Sequence, residues 1–149
     1  MLPPLSVLSR APALSIKQPW AELILRGRKQ IEVRSWSTAY RGFVWLHTGR
    51  SRDTAAAQYF NLENLPLGAH VGGMDLMDVI PFDPDRWQKW RPNHLSPGTW
   101  HAGLFAWMIT NPVRLRRPVS AAGQRGLFAV SRHILEQNLS LLPQIGGCD

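Results

Sequence analysis

Gln18-Pro19-Trp20-Ala21-Glu22-Leu23-Ile24-Leu25-Arg26-Gly27 runs directly into Arg28-Lys29-Gln30-Ile31-Glu32-Val33-Arg34-Ser35-Trp36, and the two halves carry different periodicities. In the first half Trp20, Leu23 and Ile24 fall at i, i+3 and i+4. Pro19 suits a first helical position and Gly27 the residue that closes a last turn, which predicts a short amphipathic helix over 18–26. In the second half Ile31 and Val33 alternate with Glu32, Arg34 and Trp36. That is strand periodicity, and it predicts a strand over 30–36 with one apolar and one polar face. Side chains two apart on a strand share a face, so Glu32 and Arg34 stand about 7 Å from each other on the polar one. Lys29 lies at the junction, free to turn inward ahead of the strand.

Outward from this stretch the chain is punctuated by glycine and proline. Tyr40-Arg41-Gly42 reads as a turn into a β-prone run over 43–48, and Ser51 is expected to cap a second helix through Asp53 and Tyr59. A third strand is expected over 68–80, with Gly72-Gly73 marking a bulge or a close backbone approach. The polar connection over 81–98 holds Asp83-Pro84, a helix start, and the cluster Trp87, Lys89, Trp90, Arg91. That cluster has two readings, a lid or accessory nucleic-acid contact and, favoured over it, an irregular loop pinned by two buried indoles. The apolar run over 103–110 predicts a central strand, 113–119 another, and 126–130 the last. Ser131 is expected to cap a terminal helix with Ile134, Leu135, Leu139 and Leu142 on its apolar face. Five or six short strands with three or four short helices predict an α+β chain built on a small mixed β-barrel.

The chain has 149 residues, a hydrophobic share of 44% and a charged share of 18%, which is the composition of one globular domain. No apolar run approaches the ~18 residues of a membrane span, and 1–10 lacks the pattern of a signal peptide. The single cysteine, Cys148, excludes a disulfide framework and a cysteine-based zinc site, and fits a reducing cytoplasm. No histidine pair has the i, i+4 spacing of a helical metal site, so no metal and no cofactor are expected. The charge is informative. A net +7 is distributed unevenly: nine basic and two acidic residues over 10–52, two and six over 53–90, and six and two from Arg91 onward. Such asymmetry favours one strongly positive face, the footprint of a polyanion binder. Seven tryptophans add potential stacking platforms, although several must serve the core.

Several stretches together resemble the ASCH family of the PUA-like superfamily. The family's G-x-K-x-x-E-x-R signature is met by Gly27, Lys29, Glu32 and Arg34, after an opening similar to Leu14-Ser15-Ile16-Lys17-Gln18-Pro19-Trp20-Ala21. Further matches follow in order: Tyr40-Arg41-Gly42 leading to Leu46-His47-Thr48, Leu67-Gly68-Ala69-His70-Val71-Gly72, and Gly123-Gln124-Arg125-Gly126-Leu127-Phe128. The resemblance implies a PUA-like barrel flanked by short helices, with a cleft beside the first helix where the signature residues converge, and a nucleic-acid ligand. It implies a domain over 13–131, between an N-terminal extension over 1–12 and a C-terminal helix and tail over 132–149. One PUA-like branch hydrolyses N4-acetylcytidine with a lysine, a threonine and a distant glutamate. Lys29 matches that lysine, but Glu32 stands where the threonine would, so that nucleophile is missing here.

Lysine, carboxylate and arginine in one cleft allow three readings. The carboxylate can accept from a base edge or a ribose hydroxyl while the cations hold phosphate. Lys29 and Glu32 can instead be an acid-base pair, making the chain a ribonuclease or a modified-nucleoside amidohydrolase. The plainest alternative is an ion-pair network bracing the wall. The first reading is favoured, with RNA ahead of DNA as partner, a cytoplasmic monomer as the default state, and a docking module for an acidic protein as a further alternative. In it Lys17, Lys29 and Arg34 hold phosphate, Glu32 reads an edge and Trp36 stacks. Lys17 and Gln18 sit where helix amides favour an anion. Trp20 and Ser35 flank the cleft, Arg41, Arg50 and Arg52 follow turns as phosphate contacts, and His47 lies on a neighbouring strand.

Overall fold

The computed structural model describes residues 2–143. In chain order the elements are α1 (Leu5–Leu8), β1 (Ala13–Gln18), α2 (Trp20–Leu25), β2 (Ile31–Arg34), β3 (Gly42–Arg52) and α3 (Thr54–Phe60). They continue with β4 (Ala69–Pro81), α4 (Pro84–Lys89), α5 (Arg91–His94), β5 (Phe105–Ser120), β6 (Leu127–Phe128) and α6 (Arg132–Ser140). The strands form a single sheet in the order β2-β5-β4-β3-β1-β6. Only β1 and β3 are parallel; β1 with β6, β2 with β5, β3 with β4 and β4 with β5 are antiparallel. The sheet curls into a half-barrel.

Alternation along the strands assigns the two faces. Leu14 and Ile16 of β1, Val44 and Leu46 of β3, Met74 and Leu76 of β4 and Trp107 and Ile109 of β5 join Ala21 and Ile24 of α2 in the main core. The intervening Ala13, Phe43 and Trp45 face the other way, into a second cluster closed by Leu8 of α1 and by Leu141 and Leu142 after α6. A third cluster, with Ile31, Phe82, Trp87 and Ala106, carries α4 and α5. The expected strand over 30–36 is realised only as β2, with Ile31 inside and Trp36 in a bend beyond its end, and the glycine pair in β4 is a site of close approach. A Cβ at Gly72 would strike the backbone carbonyl of Val113, and one at Gly73 the ring of Phe43. The β4–β5 register also shifts there.

Four expectations need correction. The first helix starts at Trp20 because Gln18 remains in the ladder, paired with Arg52 and accepting at its carbonyl from the Asp53 amide. The second helix is capped by Asp53, whose carboxylate accepts from the Ala56 amide at 3.0 Å, while Ser51 is still strand. The two strands expected over 103–110 and 113–119 are one, β5, which passes through Asn111 at a φ of 52°, with a register shift against β4 at that point. The described residues hold six helices rather than three or four, because α1 and α5 are single turns of four residues that sequence periodicity is too short to reveal. Ser131 occupies the N-cap of α6 but its side chain makes no capping bond. Cys148 and the end of the expected tail lie outside the described residues.

Candidate functional site

β2 is one edge of the sheet, and β1 lies at the other end beside the short β6. Since β6 pairs only with Ala13 and Leu14, the edge of β1 from Ser15 onward has no strand beyond it. Curling brings the two edges to face each other, and Arg34 closes the seam: its Nη1 is 3.5 Å from the carbonyl oxygen of Ser15. The same nitrogen donates to Glu32 Oε2 at 3.1 Å. Lys29 precedes β2 and turns inward, with Nζ donating to the carbonyl oxygen of His94 at 2.6 Å and lying 3.6 Å from Glu32 Oε1. The side chains of Lys29, Glu32 and Arg34 are 2%, 9% and 22% exposed, so charge is presented outward in that order.

Lys29 is also 4.9 Å from the centroid of the Trp20 ring. Burial pushes its ammonium below the usual lysine range, and the Arg34 charge adds to that, while Glu32 opposes both. Trp20 is half-buried and donates from Nε1 to Asp53 Oδ2 at 3.0 Å. Trp36, also half-buried, receives the Arg34 guanidinium 5.6 Å from its ring centroid. It is fixed from behind: its carbonyl accepts from Trp107 Nε1 at 3.1 Å, and the two rings meet edge to face with centroids 4.7 Å apart. Ser35 between them is exposed, as is Lys17 on β1.

The remaining expected residues divide. Gln18 is buried, its Nε2 donating to the Pro66 carbonyl at 3.2 Å and its Oε1 accepting from the Glu22 amide at 2.9 Å. Its own side chain therefore closes the start of α2, so the expected anion site there is already filled. His47 is buried, with Nδ1 3.0 Å from Ser15 Oγ and Nε2 2.8 Å from the Ala121 carbonyl. Burial lowers its pKa and the Ala121 bond opposes this. A Cβ on Gly123 would collide with the His47 ring, so the loop over 121–126 lies directly on it. Arg41 is exposed but spent on the Thr38 and Tyr40 carbonyls and on Asp78. Arg52 faces Glu63 at 3.5 Å, and Arg50 is exposed at the far end of β3. The structure thus joins Lys29, Glu32, Arg34, Trp36 and Trp20, keeps Lys17 nearby on the β1 edge, and sets Arg41 apart.

Ser15, Asp53 and His94 are members of the site that the sequence reading omits. Ser15 had a signal, since Leu14 and Ile16 alternate with Ser15 and Lys17, whereas His94 contributes only its backbone and had none. The pair Glu22 and Arg114 is a separate brace: Arg114 donates from both Nη atoms to both carboxylate oxygens, at 2.9 and 2.8 Å. Burial would raise the Glu22 pKa, but bonds from Arg114 and Arg26 outweigh it and hold the carboxyl below its ordinary value.

Comparison with known proteins agrees with the fold and the signature. The ASCH domain model matches residues 14–118. Activating signal cointegrator 1 of Homo sapiens and of Mus musculus is each 54% identical over 81 residues, covering 45% of this chain and 14% of that protein. The chain thus spans only a small part of the length of these curated relatives. Among solved structures, ASCH from Zymomonas mobilis superposes with a TM-score of 0.64 at 15% identity, covering 90% of this chain and 96% of that one. A tyrosine-to-phenylalanine mutant of it gives 0.64 at 14%, covering 89% and 99%.

Proposed function

The chain belongs to the ASCH domain family, and from that premise we propose that it is a nucleic-acid-binding module, RNA before DNA, holding its ligand along the seam between β2 and β1. The observation that carries this reading is the pairing of Arg34 with Trp36, a cation 5.6 Å from an aromatic face at the mouth of a buried ion-pair network. A guanidinium beside an indole offers phosphate and base stacking in one place. Glu32 orients Arg34 and retains lone pairs for a base amino group or a ribose hydroxyl. Lys17, exposed on the β1 edge, supplies a second phosphate contact, while Lys29 contributes its charge from beneath. Lys29 is turned to Glu32 and to the His94 carbonyl, which is the posture of a brace rather than of an acid-base pair open to substrate.

Fluorescence anisotropy with labelled single-stranded RNA, repeated as salt is raised, tests the reading. Affinity is expected to fall steeply, because every neutralised phosphate releases counterions. A gel of the recovered probe should show it intact. Affinity that ignores salt, or the absence of binding at low salt, contradicts the proposal. A shortened probe would transfer the site to the hydrolase reading, with Glu32→Gln as its control.

A further inference from the structure

Beyond Trp20 the surface opens into a groove of about 1040 Å³ between the α2–α3 side and the segment from α5 to Pro97. Three aromatic rings follow one another along it. Trp20 meets Phe60 edge to face at 5.7 Å, and Phe60 meets Tyr59 the same way at 4.9 Å. Tyr59 is 83% exposed, an unusual state for a large ring with core within reach of its neighbour. The Arg28 guanidinium lies 5.5 Å from the Phe60 centroid and has no carboxylate partner among the described ion pairs. Among the described residues the groove holds one carboxylate, Asp53, which is engaged by the Trp20 indole and the Ala56 amide. The lining, among the described residues, is therefore aromatic and cationic, with both oxygens of its carboxylate already engaged by local donors.

We propose that this groove is a base-stacking subsite for single-stranded nucleic acid, in which Tyr59 and Phe60 take splayed bases and Arg28 takes the intervening phosphate. The proposal rests on the nucleic-acid reading of the seam and extends it, with Trp20 as the wall shared by the two. A duplex keeps its base faces stacked on each other and offers nothing to Tyr59, so strandedness follows from the exposed ring. An acidic peptide would use Arg28 but has no need of three consecutive aromatic faces.

The test uses the full chain, wild type and with Tyr59→Ala, Tyr59→Phe, Arg28→Ala or Arg34→Ala, titrated against oligouridylate, oligothymidylate and a duplex of similar length. Tyr59 is on the surface, so its replacement leaves the fold intact. Tyr59→Ala is expected to weaken single-strand binding about tenfold with an unchanged salt slope, and Tyr59→Phe to restore it. Arg28→Ala is expected to reduce that slope by about one phosphate contact. Oligouridylate against oligothymidylate separates RNA from DNA as the source of the bases. If Tyr59→Ala binds single strands as wild type does while Arg34→Ala is weakened, the groove proposal fails and the seam reading stands. Equal losses for duplex and single strand also overturn it. A wild-type chain that binds no oligonucleotide removes both readings, and uptake of an acidic peptide instead assigns the groove to a protein partner.

Discussion

Arg34 joins two strands that share no backbone hydrogen bond: rooted in β2, its Nη1 lies 3.5 Å from the carbonyl oxygen of Ser15 on β1. A half-barrel leaves two free edges whose backbone groups demand partners. Here a side chain meets part of that demand, and because it is a guanidinium it brings positive charge to the opening. Glu32 holds the same guanidinium from its own strand at 3.1 Å. The residue that bridges the seam is thus also the one placed to meet a phosphate.

Replacing Arg34 with alanine should therefore cost affinity more than stability. The salt slope of RNA binding is expected to fall by about one phosphate contact, and affinity by about tenfold. Arg34→Lys should recover part of the charge but not the planar contact with Trp36. Anisotropy gives the affinity and urea unfolding the stability. A variant that unfolds readily yet binds RNA normally would reverse the assignment.

Lys29 has the opposite expectation. Its ammonium is almost wholly buried and shares Glu32 with Arg34. Lys29→Met removes a desolvated charge but leaves the His94 carbonyl and one side of Glu32 without a donor, at a cost of about 3 kcal/mol. Chemical denaturation of the variant measures this directly, and a loss below about 1 kcal/mol would show that the brace is dispensable.

Gly73→Ala should destabilise β4 wherever it is measured, because the new Cβ meets the Phe43 ring between two well-filled layers. Overpacking of this kind costs about 1–3 kcal/mol. The double variant Gly73→Ala with Phe43→Leu should regain part of the loss, and additive losses would place the clash elsewhere.

His70 gives a pH dependence. Burial, helped by the neighbouring His47, lowers its pKa from 6.5 to about 4, and its Nδ1 is buried without a hydrogen-bond partner. The unfolded chain therefore binds a proton that the folded chain refuses between those two values. Stability is fully present above pH 6.5 and is lost as pH falls through this window. Urea midpoints should decline from neutral pH towards pH 5, and His70→Phe should flatten the decline. A wild-type profile flat across that range would contradict the placement of His70.

Strand periodicity is enough to put Glu32 and Arg34 on one side of β2, whereas Trp36, expected to share it, lies in a bend beyond the end of the strand. The direction of Lys29 is not legible in the sequence: it is set by the carbonyl of His94, 65 positions away, and no local pattern encodes that contact. β1 is a conflict between local signals. Leu14 and Ile16 alternate with Ser15 and Lys17, but Pro19 invites a helix boundary at Gln18, and pairing with β3 decides for the strand. The groove is hidden for another reason. Tyr59 follows the helical pattern of α3 like a core residue, and only the tertiary packing leaves its ring in water.

Chemical-shift mapping of the chain titrated with oligouridylate tests nucleic-acid binding at the seam between β2 and β1. The signals of the Trp36 indole, the Arg34 guanidinium and the amides of Ser15 and Ser35 are expected to move together, saturate, and return as salt is raised. Shifts confined to the opposite face, around Arg116 and α6, or no shifts at low salt, would contradict binding at the seam.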